Sequence, residues 1–128
     1  MKKVKRWRYY CEYCRKSGCS GGHIARHERG CTANPNRECA MHGFVTTESA
    51  PDMPALLAAI EHDAKLTKLR AVAHNCPACI LAALRQSNVM MVDGEGMPFA
   101  PDFDFRAERE AIFAAHNAAE YEREGMYY

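Results

Sequence analysis

The sequence lacks any apolar stretch long enough to cross a membrane. Its longest uncharged run, residues 71–84 of a 128-residue chain, contains His, Asn and Pro and is shorter than the roughly 20 residues that a spanning helix needs. We also expect no signal peptide, because further charges follow the basic start at residues 1–8 where an apolar segment would be required. We therefore expect a soluble protein of the cytoplasm or another reducing intracellular compartment.

Catalytic signatures are missing as well. No phosphate-binding loop, no paired carboxylates and no nucleophile beside a base stand out in the sequence. The pair formed by Cys76 and Cys79 lacks the His-x-Glu partner that a zinc deaminase uses. We expect a protein that is not an enzyme and that has no small-molecule substrate.

Cysteine, in contrast, is abundant and clustered. The chain has seven cysteines, and five of them fall in Cys-x-x-Cys or Cys-x-x-His pairs. An odd number of cysteines in a reducing compartment favours metal binding over disulfides. With His27 and Cys31, these pairs make two groups of four candidate ligands, which predicts two Zn²⁺ ions per chain.

The first group of candidate ligands is Cys11, Cys14, His27 and Cys31, with the spacing C-x₂-C-x₁₂-H-x₃-C. A tight turn between two strands would aim the first two thiolates inward, and the twelve-residue spacer would close the hairpin and begin a helix. The last spacer puts His27 and Cys31 one helical turn apart on the same face. His23 is the alternative to Cys31, although it would leave only eight residues after Cys14. We favour Cys31.

The residues around these ligands follow a known pattern. Tyr9 is an aromatic residue two places before the first Cys, and Ile24 is an aliphatic residue three places before the first His. With the ligand spacing, they make residues 9–31 resemble the ββα zinc finger of the C₂H₂ family, in its C₂HC variant. Gly18 stands where that family has a large apolar residue, and Cys19 beside it is expected to be small, buried and not a ligand. Residues 27–42 are also similar to small zinc-finger proteins of phages and bacteria.

The second group of candidate ligands is Cys39, His42, Cys76 and Cys79. Cys39 and His42 form a knuckle-like half site that ends in Gly43, and the Cys-x-x-Cys pair lies 33 residues beyond it. A structural zinc site has four protein ligands, so the two halves should complete one another. Cys76 is expected at the N-cap of a helix, where a thiolate is stabilised. The alternative is a thioredoxin-like redox pair, but the preceding residues are predicted to be helical rather than a strand.

The rest of the chain is predicted to be mostly helical. Apolar residues recur with helical spacing over residues 55–73, with Asp52 as N-cap and Pro54 in the first turn. A shorter helix should begin at Pro77, and a third should span residues 104–124 with Asp102 or Asp104 as its cap. Residues 92–104 are expected to be a loop. The predicted fold is therefore small, α+β and mostly α: a basic arm at 1–8, a finger at 9–31 and a helical region at 32–128 closed by the second zinc site.

The charges suggest nucleic acid as a partner. Residues 1–50 carry ten Lys and Arg against four Asp and Glu, whereas residues 51–128 carry seven against twelve. Aromatic residues Trp7, Tyr9 and Tyr10 adjoin the basic arm, which would allow phosphate contacts and base stacking. The basic residues of the arm are Lys2, Lys3, Lys5, Arg6 and Arg8. The finger resemblance further implies base-facing positions at Ser20, Gly22, His23 and Arg26. One finger reads only about three base pairs, so we expect weak binding to DNA or RNA with little sequence preference.

The alternative function is a protein–protein adapter or an accessory subunit with purely structural zinc. It depends on an acidic last helix followed by an aromatic tail. The acidic residues are Glu108, Glu110, Glu120, Glu122 and Glu124, and the tail is Met126, Tyr127 and Tyr128. The sequence alone does not decide between the two functions.

Overall fold

The structure, a computed structural model, describes residues 1–61, 63–87, 95, 97–98 and 100–125, with side chains as far as residue 120. Parts of the sequence predictions fall outside these residues. They are the aromatic tail at 126–128, the side chains of Glu122 and Glu124, and part of the loop predicted at 92–104.

The N-terminal part is a small hairpin followed by a helix, as predicted for residues 9–31. Strands β1 (Tyr9–Tyr10) and β2 (Ser17–Gly18) are antiparallel, with Tyr9 opposite Gly18 and Tyr10 opposite Ser17. Helix α1 (Gly21–Gly30) begins after Ser20, whose hydroxyl accepts a hydrogen bond from the His23 N–H at 3.3 Å. Ile24, 3% exposed, packs with Cys11 and Cys31 in a core of its own.

The prediction that Cys19 is a buried residue is wrong, because Cys19 is exposed. Side chains alternate across a strand, and Gly18 is the residue that faces Ile24: a Cβ at Gly18 would lie 3.6 Å from the Ile24 Cδ1. The side chain of Cys19 therefore does not replace the apolar residue missing at position 18.

Among the described residues, the remaining elements are a 3₁₀ turn at His42–Phe44 and four helices: α2 (Met53–Ala58), α3 (Thr67–Val72), α4 (Pro77–Gln86) and α5 (Phe105–Gly125). Asp52 caps α2 by accepting from the Ala55 N–H at 3.0 Å, and Cys76 is the N-cap of α4, as predicted. Of the two candidate caps for α5, Asp104 accepts from the Ala107 N–H at 3.2 Å. No helix in the described part of the chain is both long and apolar enough to cross a membrane.

The prediction of one continuous helix over 55–73 is wrong, because the chain turns between α2 and α3. The Asp63 carboxylate accepts from the Lys65 N–H at 3.0 Å and from the Thr67 hydroxyl at 2.9 Å. Leu66 adopts a left-handed conformation with φ 54° and is buried at 2% exposure. A short polar side chain that captures local backbone donors competes with helix formation. The break lets Leu66 join the core.

The helical core lies where α2, α3 and α4 meet. Leu56, Leu69 and Ile80 are its largest fully buried aliphatic side chains, and Cys76 and Cys79 belong to the same cluster. On α5, Glu108 forms an ion pair with Arg70 of α3 at 2.5 Å. Two candidate ligands of the second group, Cys76 and Cys79, are therefore part of this core.

Residues 31–38 join the finger to the helical core. Asn34, 7% exposed, donates from its amide to the Glu28 carbonyl at 2.8 Å, at the end of α1. The Gln86 amide, at the end of α4, donates to the carbonyls of Thr32 and Asn34, both at 2.9 Å. The Arg85 guanidinium adds a 2.6 Å hydrogen bond to the Thr32 hydroxyl. Both helices are thus attached to one short segment.

Two candidate metal centres

The first centre brings together the four residues of the favoured ligand set. The candidate ligand atoms of Cys11, Cys14, His27 and Cys31 all lie within 4.8 Å of one another. The hairpin turn supplies the first two, and the last turn of α1 with its C-cap supplies His27 and Cys31. The Cys14 Sγ lies 3.1 Å from the His27 Nε2. His23, the alternative ligand, is exposed and lies outside this group.

The surroundings of the first centre favour the metal-binding forms of His27 and Cys11, whereas burial raises the pKa of Cys31. Burial lowers the pKa of His27, assisted by the positive charge of Lys16, so its imidazole is neutral at pH 7. Burial alone would raise the pKa of Cys11, but hydrogen bonds from the backbone N–H groups of Tyr13 and Cys14 lower it overall. Neutral imidazole and thiolate are the metal-binding forms.

The second centre assembles from two distant segments, again as a group of four. The candidate ligand atoms of Cys39, His42, Cys76 and Cys79 lie within 4.8 Å of one another. The Cys39 Sγ is 3.5 Å from the Cys76 Sγ, and the Cys79 Sγ is 3.5 Å from the His42 Nδ1. Cys76 and Cys79 are 0% exposed and His42 is 3% exposed. The 3₁₀ turn and the start of α4 therefore meet at a buried group of soft donors.

Arg37 supplies positive charge to the second centre. Its Nη1 donates to the Cys79 Sγ at 3.8 Å, and its buried Nε has no hydrogen-bond partner among the described residues. Hydrogen bonds from Cys76 and Cys79, together with the Arg37 guanidinium, hold the pKa of Cys39 far below its ordinary value. The pKa of Cys76 is raised, chiefly by its hydrogen bond to Cys39. The Arg37 guanidinium therefore favours the thiolate form of Cys39.

Sequence reasoning gave no role to His74, which lies beside the second centre. The His74 Nδ1 is 3.0 Å from the His42 Nε2, and its Nε2 is 2.7 Å from the Glu48 carboxylate. Only its position two residues before Cys76 could have indicated this contact. Glu48 lies in the connector before α2, with no sequence signal of its own.

The residues predicted to contact nucleic acid are solvent-accessible. The arm at residues 1–8 is exposed, as are His23 and Arg26 on α1. Arg8 is also tied to the hairpin, because its guanidinium donates to the Ser17 hydroxyl at 2.9 Å. The exposed aromatic side chains near the arm are Trp7, Tyr9, Tyr10 and Tyr13.

Helix α1 carries few side chains at the base-facing positions that the finger resemblance implies. The Ser20 hydroxyl is occupied as the N-cap, and Gly22 has no side chain. His23 and Arg26 are the remaining base-facing positions that the finger resemblance implies. Arg26 also lines an open cleft of about 270 Å³ beside Cys39, together with Arg29.

Comparison with family models, with curated proteins and with solved structures finds no match to this chain. The finger resemblance therefore depends on the ligand spacing and on the hairpin and helix that the structure places around it.

Proposed function

We propose that this protein is a non-enzymatic module in which two zinc ions hold a finger and a helical region together, and that it binds nucleic acid weakly through its N-terminal half. The grouping of eight Cys and His residues into two sets of four carries the zinc part of the proposal. Each set supplies three sulfurs and one imidazole nitrogen, the donors that structural zinc sites use.

The distances within the sets fit zinc. Tetrahedral zinc–sulfur bonds of about 2.3 Å put two sulfur ligands roughly 3.8 Å apart. The Cys39 and Cys76 sulfurs are 3.5 Å apart, and all ligand atoms in each set lie within 4.8 Å of one another. Four protein ligands fill a tetrahedral ion and leave no open position for substrate. This supports a structural role over a catalytic one, in a reducing compartment where thiolates persist.

Metal analysis tests this part directly. Protein purified without added metal should contain two zinc ions per chain by elemental analysis. Cys19→Ser, which changes an exposed cysteine outside both sets, should keep both ions. A ratio of one zinc per chain, or iron with visible absorbance, would contradict the two-centre scheme.

The nucleic-acid part of the proposal is supported by the exposed basic arm and its aromatic neighbours. Cationic side chains displace counterions from phosphates, and aromatic rings stack on bases without regard to sequence. The shortage of base-reading side chains on α1 agrees with weak and unselective binding.

A matched pair of double variants tests whether the arm contacts phosphates. In fluorescence anisotropy with short duplex and single-stranded probes, affinity should fall as salt rises. Lys3→Gln with Lys5→Gln should reduce the log–log salt slope on the duplex by up to about 1.8, because each phosphate contact contributes about 0.9. Lys65→Gln with Lys68→Gln removes two exposed charges of the helical region and should leave the slope unchanged. If no probe binds at low salt, the nucleic-acid proposal is wrong.

An adapter function is the second candidate, and the placement of α5 favours it. This 21-residue helix carries the half-buried Phe113 and His116 against Phe44, whereas Glu110 and Glu120 are exposed. A helix covered on one side and acidic on the other can present a binding face. Deleting residues 105–128 should then abolish capture of a protein partner from the native host while the first zinc ion stays bound.

A further inference from the structure

A short chain of hydrogen bonds leads outward from the second centre. The buried His42 directs its Nδ1 toward the Cys79 Sγ at 3.5 Å, and its Nε2 lies 3.0 Å from the His74 Nδ1. The opposite nitrogen of His74, Nε2, lies 2.7 Å from the Glu48 carboxylate. The chain therefore runs from the metal ligand through a second imidazole to an exposed acid.

Only one arrangement of protons satisfies every contact in this chain when a metal is bound. A metal at the His42 Nδ1 uses the lone pair there, so the neutral ring carries its proton on Nε2. That N–H donates to the His74 Nδ1, and His74 then carries its own proton on Nε2. The Glu48 carboxylate accepts the last hydrogen bond. Each donor faces one acceptor.

The backbone at His74 adopts the left-handed conformation that often ends a helix. His74 and Asn75 are consecutive left-handed residues, with φ of 54° and 58°. They immediately precede Cys76, the N-cap of α4. The two imidazole rings meet edge to face, with centroids 5.2 Å apart. These two residues end α3, because the His74 N–H donates to the Ala71 carbonyl at 3.4 Å and the Asn75 N–H to the Arg70 carbonyl at 2.9 Å. The same turn places the His74 ring against His42.

We propose that His74 and Glu48 are positioning residues of the second centre, which hold His42 in the orientation and tautomer that present Nδ1 to the metal. The proposal rests on the proposed zinc function and adds two residues to it. Metal-bound histidines are commonly held in this way through their second nitrogen, and loss of the partner lowers metal affinity about 10–100-fold.

Substitutions at position 74 can separate the hydrogen bond from the backbone effect. His74→Gly removes the acceptor and tolerates the left-handed conformation. His74→Asn also tolerates that conformation, and its side-chain oxygen can accept from the His42 Nε2–H. Asn75→Gly makes the same backbone change at an exposed neighbour outside the chain of hydrogen bonds.

The experiment is a chelator titration of the zinc-loaded full chain, followed by NMR of the imidazole rings. The His27 signals report the first centre, and the His42 signals report the second. His74→Gly should release zinc from the second centre at 10–100-fold lower chelator strength than the unmodified protein, with the first centre unchanged. His74→Asn should restore most of the affinity, and Asn75→Gly should have no effect.

The NMR spectra of the His42 ring show which nitrogen binds the metal, and a purely structural role of His74 would not change them. In the unmodified protein, His42 should bind through Nδ1 with its proton on Nε2. In His74→Gly, part of the population should bind through Nε2 instead. Glu48→Ala, at an exposed position, should cause a smaller shift in the same direction without unfolding risk.

The outcomes separate this inference from the zinc proposal. If the unmodified protein holds no zinc at the second centre, the zinc proposal itself fails. If it holds two ions but Glu48→Ala and His74→Gly leave His42 bound as before, with equal affinity, the positioning role is refuted. Failure of His74→Asn to restore the affinity lost in His74→Gly would refute it as well.

Discussion

Replacing Cys76 by serine should remove the second zinc ion and, with it, the folded core of the helical region. Cys76 is 0% exposed, forms the N-cap of α4 and belongs to the buried cluster that contains Leu56 and Leu69. Serine is close to cysteine in size, so a large effect would come from the lost metal–sulfur bond rather than from packing.

The magnitude follows from the small size of this core. Its large aliphatic members are Met53, Leu56, Leu66, Leu69 and Ile80, and its other buried members are Ala and Cys. Each large side chain contributes about 1.5–3 kcal/mol when fully buried, so together they contribute on the order of 10 kcal/mol. A structural zinc ion contributes about 10–16 kcal/mol. One bound zinc ion would therefore stabilise this region about as much as its aliphatic side chains do.

Hydrogen exchange read by mass spectrometry, with zinc content measured on the same samples, provides the assay. In Cys76→Ser the amides of α2, α3 and α4 should exchange rapidly, and one zinc ion should remain. Cys14→Ser should also lose one ion but keep those helices protected, and Cys19→Ser should behave like the unmodified protein. Slow exchange throughout α2, α3 and α4 in Cys76→Ser would show that the helical region folds without its metal.

Three further predictions concern single contacts. Gly22→Ala should stabilise α1 by about 0.5–1 kcal/mol in urea unfolding, because the added Cβ would meet nothing within 4 Å. Gly21→Ala should stabilise the helix less, since the added Cβ would lie 3.1 Å from the Tyr9 ring. Arg37→Met should weaken zinc binding at the second centre about ten-fold in chelator titrations. Arg37→Lys keeps the charge and should lose less zinc affinity. An equal loss of affinity in both variants would exclude a charge effect. Gln86→Leu should lower the free energy of unfolding in urea by about 1–3 kcal/mol, because two carbonyls of residues 31–38 lose their donor. An unchanged unfolding midpoint would show that water replaces the Gln86 amide as donor.

Local chemistry predicted much of this fold. The spacing of the first group indicated a hairpin and a helix, and the structure has both. Asp52 and Cys76 were recognisable as N-caps because each is followed by an early proline and an apolar helical pattern. Pairing of the two distant half sites followed from ligand number alone, since a structural zinc ion needs four ligands.

The features that the sequence did not predict depend on left-handed residues and on distant contacts. The apolar periodicity over 55–73 continues through the break, and only the Asp63 hydrogen bonds and the left-handed Leu66 reveal the turn. The approach of His74 to His42 requires a left-handed backbone next to Cys76. Periodicity and ligand counting carry no information about either feature.

The segment between the centres determines how α1 is held against the helical region. It comprises residues 31–38, beginning at Cys31, a candidate ligand of the first centre, and ending just before Cys39, a candidate ligand of the second. The Glu38 N–H donates to the Arg29 carbonyl at 2.7 Å, and Gln86 donates to the middle of the segment. Metal–ligand bonds would thus fix both ends, and loss of the second ion would leave α1 attached through hydrogen bonds alone. The basic arm precedes β1 and does not depend on this segment. If nucleic acid binds through the arm, Cys76→Ser should keep its salt-dependent affinity, and only a contribution from Arg26 on α1 should fall.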